Sequence, residues 1–309
     1  VTSPKKSTTP TDHCNDLTIP KVKWGSTDVI FASIVTILIS ISIAAIDGAM
    51  GSDYGLGTSI SSHSGYIIGI LSAGIALILF KVFRSPAWPV FIAFVTGLGI
   101  VAISYMFSTE SSDGSLQFIG LPIGIIVATA ISLMFAATGF TLSVIKFREP
   151  INTLGLIRTH GARPYAYAAL IWILALSMLI LWIQIVVSLD VGFLIPPDTA
   201  QQVLDEAAGN IVTTVILVGI IGPIAEEIFF RGYVLPGLIN RFGIVGALVI
   251  SSLIFGFFHI EPGAIVPTFV LGLALGWVYL KTGSIWPAVF AHGLHNTFAV
   301  LLAKYADVA

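Results

Sequence analysis

Charge is what this sequence has least of. Only 10% of its 309 residues are charged, against about 25% in an ordinary soluble domain. A soluble fold of this length could not cover its core with so little polar surface. The net charge of −2 leaves no basic footprint, which argues against a nucleic-acid partner. Cysteine is almost missing too. The single Cys14 excludes an intrachain disulfide and any thiolate metal cluster. There is no clear internal repeat and no sustained heptad. What is abundant is apolar sequence: 56% of residues, a mean hydropathy of +0.98, and runs of membrane-spanning length along the chain.

These runs predict an all-α, polytopic transmembrane bundle of about nine helices. They fall near Val29–Ile46, Gly65–Phe83, Trp88–Phe107, Ile119–Thr141, Tyr165–Val187, Ile211–Phe230, Ile244–Phe258, Ala264–Leu280 and Ile285–Ala303. Residues 1–28, rich in Ser, Thr, Pro and Lys, read as a disordered polar tail. Residues 29–204 form an N-terminal set of about five spans, and 205–309 a separate C-terminal region. The loops test the count, because Lys and Arg collect on the cytoplasmic side. Basic residues sit in the tail (Lys5, Lys6, Lys21, Lys23), at Lys81 and Arg84, in loop 142–164 (Lys146, Arg148, Arg158, Arg163), at Arg231 and Arg241, and at Lys281. The intervening loops hold none or only acids, with Lys304 the exception, so 13 of the 14 basic residues alternate. The pattern predicts a cytoplasmic N-terminus in a plasma or ER-type membrane. Small residues in the early spans, among them Ser33, Ser40, Ser42, Gly69, Gly74, Gly97 and Gly99, read as helix-packing positions.

Against this apolar background the sixth span carries Glu226, Glu227 and Arg231. Each charge near a helix centre costs about 2.5–3.5 kcal/mol on insertion scales, so the group must be paired, hydrated or both. Glu227 and Arg231 are i and i+4 and can pair. Glu226 points about 100° away and lacks that partner, which suits a carboxylate in a hydrated cavity and a general base. Downstream, Phe255-Gly-Phe-Phe-His259 ends an apolar helix, and His292-Gly-Leu-His-Asn296 lies inside the last span. His292 and Asn296 share a helix face. His295 is one residue off it and reads as structural. A chain reversal near Asn240–Gly243 would leave Glu226 and His259 at similar depth.

These residues resemble the CPBP (ABI, CAAX-processing) family of intramembrane proteases. The family pattern is Glu-Glu-x-x-x-Arg, Phe-x-x-x-His and His-x-x-x-Asn, matched here by Glu226-Glu227-x-x-x-Arg231, Phe255-x-x-x-His259 and His292-x-x-x-Asn296. The flanks Arg231-Gly-Tyr-Val-Leu-Pro and Gly283-Ser-Ile-Trp-Pro-Ala are similar as well, and the resemblance covers about 205–303. It implies an endopeptidase acting on a peptide or protein substrate, prenylated or not, within the lipid bilayer. Glu226 and His259 would activate water, His292 and Asn296 would stabilise the oxyanion, and Glu227 with Arg231 would support them.

Two alternatives stand beside this reading. Glu226, His259 and His292 are also the donor types of a His₂Glu zinc site. The metal-free mechanism is preferred, because Asn296 is a poor zinc ligand and a good oxyanion donor, and no acid partner for either histidine is evident from spacing. Intramembrane Glu, His and Arg also mark ion- or proton-coupled transporters, but the polar groups are confined to one end of the chain and no inverted repeat accompanies them. A non-catalytic assembly or immunity factor on the same fold is the third reading.

Overall fold

A computed structural model describes residues 17–18, 20–49 and 101–305, apart from short gaps at 102, 104–105, 111–115, 119–120 and 208–209. The architecture is helical. Helix α1 is Ser26–Ala49. Three strands of two or three residues, β1 (Thr109–Glu110), β2 (Leu116–Phe118) and β3 (Leu121–Pro122), pair antiparallel ahead of α2. Then come α2 (Ile123–Phe140), α3 (Arg163–Ser188), α4 (Thr199–Glu206), α5 (Ile211–Thr214), α6 (Gly222–Glu227), α7 (Leu235–Phe257), α8 (Pro262–Thr282) and α9 (Ile285–Tyr305).

Among the described residues six helical runs are long and apolar enough to cross a membrane, against the nine expected for the whole chain. Two expected spans, Gly65–Phe83 and Trp88–Phe107, lie wholly or mostly outside the described residues. Two others are fused in one run of 47 residues, Ile211–Phe257. That run doubles back inside α7 at Gly243, whose φ of 67° and ψ of 178° are open to glycine and costly for other residues. The reversal falls within the stretch expected from sequence. Beyond it the Ser251 hydroxyl donates to the Phe230 carbonyl at 3.5 Å, so the returning helix lies against the outgoing one.

The ends are made by local chemistry. Asp198 caps α4 by accepting from the Gln201 amide at 3.1 Å, and Asn210 caps α5 by accepting from Thr213 at 3.1 Å. Prolines open α3 and α8, where a missing N–H costs nothing. Gly283 closes α8 in the left-handed conformation.

Residues 17–18 and 20–25, within the stretch expected to be a disordered tail, are docked. Trp24 is fully buried, stacks on Tyr233 at 5.0 Å and donates its indole N–H to the Tyr233 carbonyl at 2.8 Å. Three basic-rich segments meet at one end of the bundle. Lys23 pairs with Glu149 and Lys146 with Asp28, at 3.1 and 2.9 Å, while the Ser284 hydroxyl donates to the Ile157 carbonyl at 2.6 Å. At the opposite end the Ile195 carbonyl lies against Gly263, near Asp198 and Glu261.

Candidate active site

The glutamate-bearing turn is framed by two π-helical segments, Val215–Ile221 and Ile228–Val234, with α6 between them. Such widened turns release carbonyls and recur at functional sites. In π winding the partner of the Val218 carbonyl would be the amide five residues on. That residue is Pro223, which has no N–H. The freed Val218 carbonyl accepts instead from the Asn296 side-chain amide at 2.9 Å. Helix α9 can come this close because Gly293 meets the Gly219 backbone with no side chain between them.

The two glutamates face different surroundings. Glu227 is wholly buried. One of its oxygens accepts from Arg231 Nη1 at 3.0 Å and from His292 Nδ1 at 3.0 Å. Arg231, also buried, donates through Nη2 to the Gly272 carbonyl at 3.2 Å and lies over the Phe255 ring at 4.6 Å. The i, i+4 pair read from sequence therefore forms. Its second attachment, to His292, was not foreseen: Glu227 is the carboxylate partner that spacing did not reveal for either histidine. Residues 65 positions apart give no local signal of such a contact.

Glu226 turns the other way, with a side chain 21% exposed, and lines a cavity of about 700 Å³. His259, His292 and Asn296 line the same cavity. Glu226 Oε2 stands 3.9 Å from His292 Nε2. That is too long for a direct hydrogen bond, and it is a spacing that one water bridges with ordinary hydrogen bonds to both. His259 is set by its Nδ1, 3.0 Å from the Phe255 carbonyl. Phe255 adds an aromatic wall, with its ring 5.1 Å from that of His259 and 5.7 Å from that of His292. The phenylalanine of the Phe-x-x-x-His motif thus orients one histidine through its carbonyl and contacts both through its ring.

His295, read from sequence as structural, also lines the cavity. With His292, Asn296, Ala299, Val300 and Ala303 it makes one helical stripe facing that space. The cavity reaches the acidic end of the bundle, where residues 196–201 and the last turns of α9 form its wall. Zinc donors of the right types are present: Glu226, the Nε2 atoms of His259 and His292, and Glu227 as an outer carboxylate. Among the described residues, however, no three His, Cys, Asp or Glu side chains are gathered closely enough to hold a metal ion.

Fold and site together define an integral membrane protein with a buried acid, imidazole and amide constellation opening on a cavity. Residues 208–298 match the family model of the Rce1-like type II CAAX prenyl endopeptidases. It is 32% identical over 105 residues to YdiL of Bacillus subtilis (strain 168), described as a candidate membrane peptidase; the match takes in 34% of this chain and 43% of YdiL. It is 29% identical over 92 residues to the UPF0177 protein YxdF of Lactococcus lactis, covering 29% of this chain and 50% of YxdF. The chain therefore spans half or less of the length of both. It is also 26% identical over 199 residues to the membrane-embedded CAAX protease MroQ of Staphylococcus aureus (strain USA300), covering 60% of this chain and 78% of MroQ. That stretch is longer than 208–298, so the likeness reaches beyond the region in which the motifs were legible. No solved structure matches the chain.

Proposed function

We propose that the chain is an intramembrane endopeptidase in which Glu226 activates the hydrolytic water. The observation that carries this reading is that Glu226 from the Ile211–Phe257 run, His259 from the turn that follows it, and His292 and Asn296 from α9 line one cavity within an apolar bundle. The hydrogen bonds behind them support definite roles. A carbonyl only accepts, so His259 carries its proton on Nδ1, toward Phe255, and offers a lone pair at Nε2. A carboxylate likewise only accepts, so His292 donates from Nδ1 to Glu227 and offers a lone pair toward Glu226.

A water between Glu226 and His292 donates to both and leaves an oxygen lone pair for the substrate. Glu226 takes one proton as that oxygen attacks the scissile carbonyl carbon, and the C=O π pair moves onto the oxygen. The oxyanion is stabilised by the second Asn296 amide N–H and by His292, whose Nε2 takes up the water's other proton so that the acyl product leaves as a carboxylate. The C–N bond then breaks, and the amine leaves with the proton returned by Glu226. His259, through its Nε2 lone pair, shares the proton that Glu226 takes from the water. Glu227 and Arg231 hold His292 and take no part in the bond changes. The substrate is a peptide or protein segment in the bilayer, prenylated or not, and the N-terminus lies on the cytoplasmic side, following the basic loops.

The test is peptide cleavage by detergent-purified protein. Glu226→Ala and His259→Ala should lose turnover while inserting and melting like the parent; parental cleavage by both variants would refute the assignment. Strong chelation should leave activity intact and the purified protein should hold no stoichiometric zinc. Loss of activity in EDTA with recovery by zinc alone would overturn the metal-free mechanism.

A further inference from the structure

The mechanism leaves one imidazole in the cavity wall without a task. His295 stands between His292 and Asn296 on the stripe of α9 that faces the cavity. Its Nδ1 lies 3.4 Å from the indole Nε1 of Trp172 on α3. An indole N–H only donates, so the facing nitrogen of His295 must accept. That fixes the neutral tautomer with its proton on Nε2, on the side of the ring away from Trp172. Trp172 is itself held edge-on by Phe298, with ring centroids 6.0 Å apart. The arrangement is the converse of His259 and His292, whose bonds place the proton on Nδ1 and leave Nε2 as an acceptor.

Resting on the proposed function, we infer that His295 is a substrate-binding donor, with Trp172 as its positioning residue. The Nε2–H of His295 donates to a main-chain carbonyl of the peptide residue flanking the scissile bond. His295 lies about 4.5 Å along α9 from His292, between the one- and two-residue advances of an extended chain at about 3.3 Å per residue. The site then holds two acceptors for water and, one step along the helix, a donor for peptide. A neutral peptide is thereby registered against the attacking water without a charge entering the cavity.

The experiment uses the full chain in detergent with a panel of internally quenched peptides of apolar sequence, the parent and Glu226→Gln setting the upper and lower limits of cleavage. Losing one neutral hydrogen bond to substrate should raise KM about five- to tenfold in His295→Leu, with kcat within about twofold of the parent. His295→Gln, which restores an N–H, should return KM to within about twofold. Trp172→Phe keeps the ring and removes the N–H, and should raise KM about two- to threefold. Nitrogen-15 NMR of histidine-labelled protein should show the His295 proton on Nε2, and Trp172→Phe should convert that signal to a tautomer mixture. If His295→Leu fails to fold, His295→Gln, Trp172→Phe and the NMR signal decide in the same sense. Parental constants in His295→Leu, or a proton on Nδ1, overturn this inference and leave the proposed function standing. A parent that cleaves nothing in the panel counts against both.

Discussion

The bundle holds two compartments that meet at the short helix α6. On one side lie Glu227, Arg231 and the rings of Phe229, Phe230, Tyr233 and Phe255, all at or below about 1% exposure. On the other lie Glu226 and the imidazoles that face the cavity. Adjacent carboxylates thus sit in different media. In the dry compartment a charge is tolerable only if partners replace its hydration, and Glu227 has a guanidinium and an imidazole. In the wet compartment the carboxylate can keep some water. Arg231, Glu227 and His292 thus form one hydrogen-bonded unit. Arg231 permits Glu227 to be buried, and Glu227 sets the tautomer of His292 that faces Glu226.

The sharpest way to break this comparison is to neutralise each carboxylate in turn. Glu226→Gln should cut kcat/KM by about 10³-fold or more, within the range lost with a general base, while the melting temperature in detergent stays near the parent's. Arg231→Met acts on the other compartment. It strands the Glu227 charge, and removing one partner of a buried pair costs about 3–5 kcal/mol, read as lost stability in unfolding assays and lower yield in the membrane. Combining Arg231→Met with Glu227→Gln should recover a large part of that loss but not the activity, because His292 loses its charged acceptor. If Glu226→Gln destabilises as much as Arg231→Met, the two sides of α6 do not differ as described.

A smaller effect should follow from closing the gap between the compartments' supports. Alanine at Gly293 would drive its Cβ into the Gly219 backbone carbonyl, which cannot rotate aside as a side chain could. Overpacking of this kind costs about 1–3 kcal/mol. It should also reduce kcat, since moving α9 outward separates the Asn296 amide from the Val218 carbonyl. A Gly293→Ala protein with parental stability and rate would show that the close approach is not needed.

Much of this was legible in the sequence because membrane interiors make polar residues conspicuous. Glu226, Glu227, Arg231, His259, His292 and Asn296 stood out by their cost in lipid, and helical periodicity alone separated Glu226 from the Glu227–Arg231 pair. The reversal at Gly243 was readable from local breakers. Hydropathy marks Ile211–Phe230 and Ile244–Phe258 as separate apolar runs, and the non-helical Gly243 divides the 211–257 run between them. Contacts between distant segments carried no local signal. The bond from His292 to Glu227, the capture of the Val218 carbonyl by Asn296 and the pairing of His295 with Trp172 depend on how helices dock. So does Trp24: a lone tryptophan in a polar tail gave no sign that Tyr233 would receive it.

The weakest expected effect concerns charges at the basic end, and it calibrates the rest. Lys23 pairs with Glu149 through a side chain 62% exposed, whereas the Lys146–Asp28 pair is 14% and 29% exposed. Both pair opposite charges as Arg231 and Glu227 do, but with water at hand. Lys23→Met should change stability by less than about 0.5 kcal/mol and Lys146→Met by about 1 kcal/mol at most, each difference shrinking as salt is raised. Neither should alter peptide cleavage. The Arg231→Met loss, by contrast, should persist at high salt, because ions do not reach a pair that is 1% and 0% exposed. If all three substitutions respond to salt alike, the interior pair is hydrated and the dry compartment is not dry. If only the interior loss is insensitive to salt, the contrast between Glu226 and Glu227 reflects access to water rather than position in the sequence.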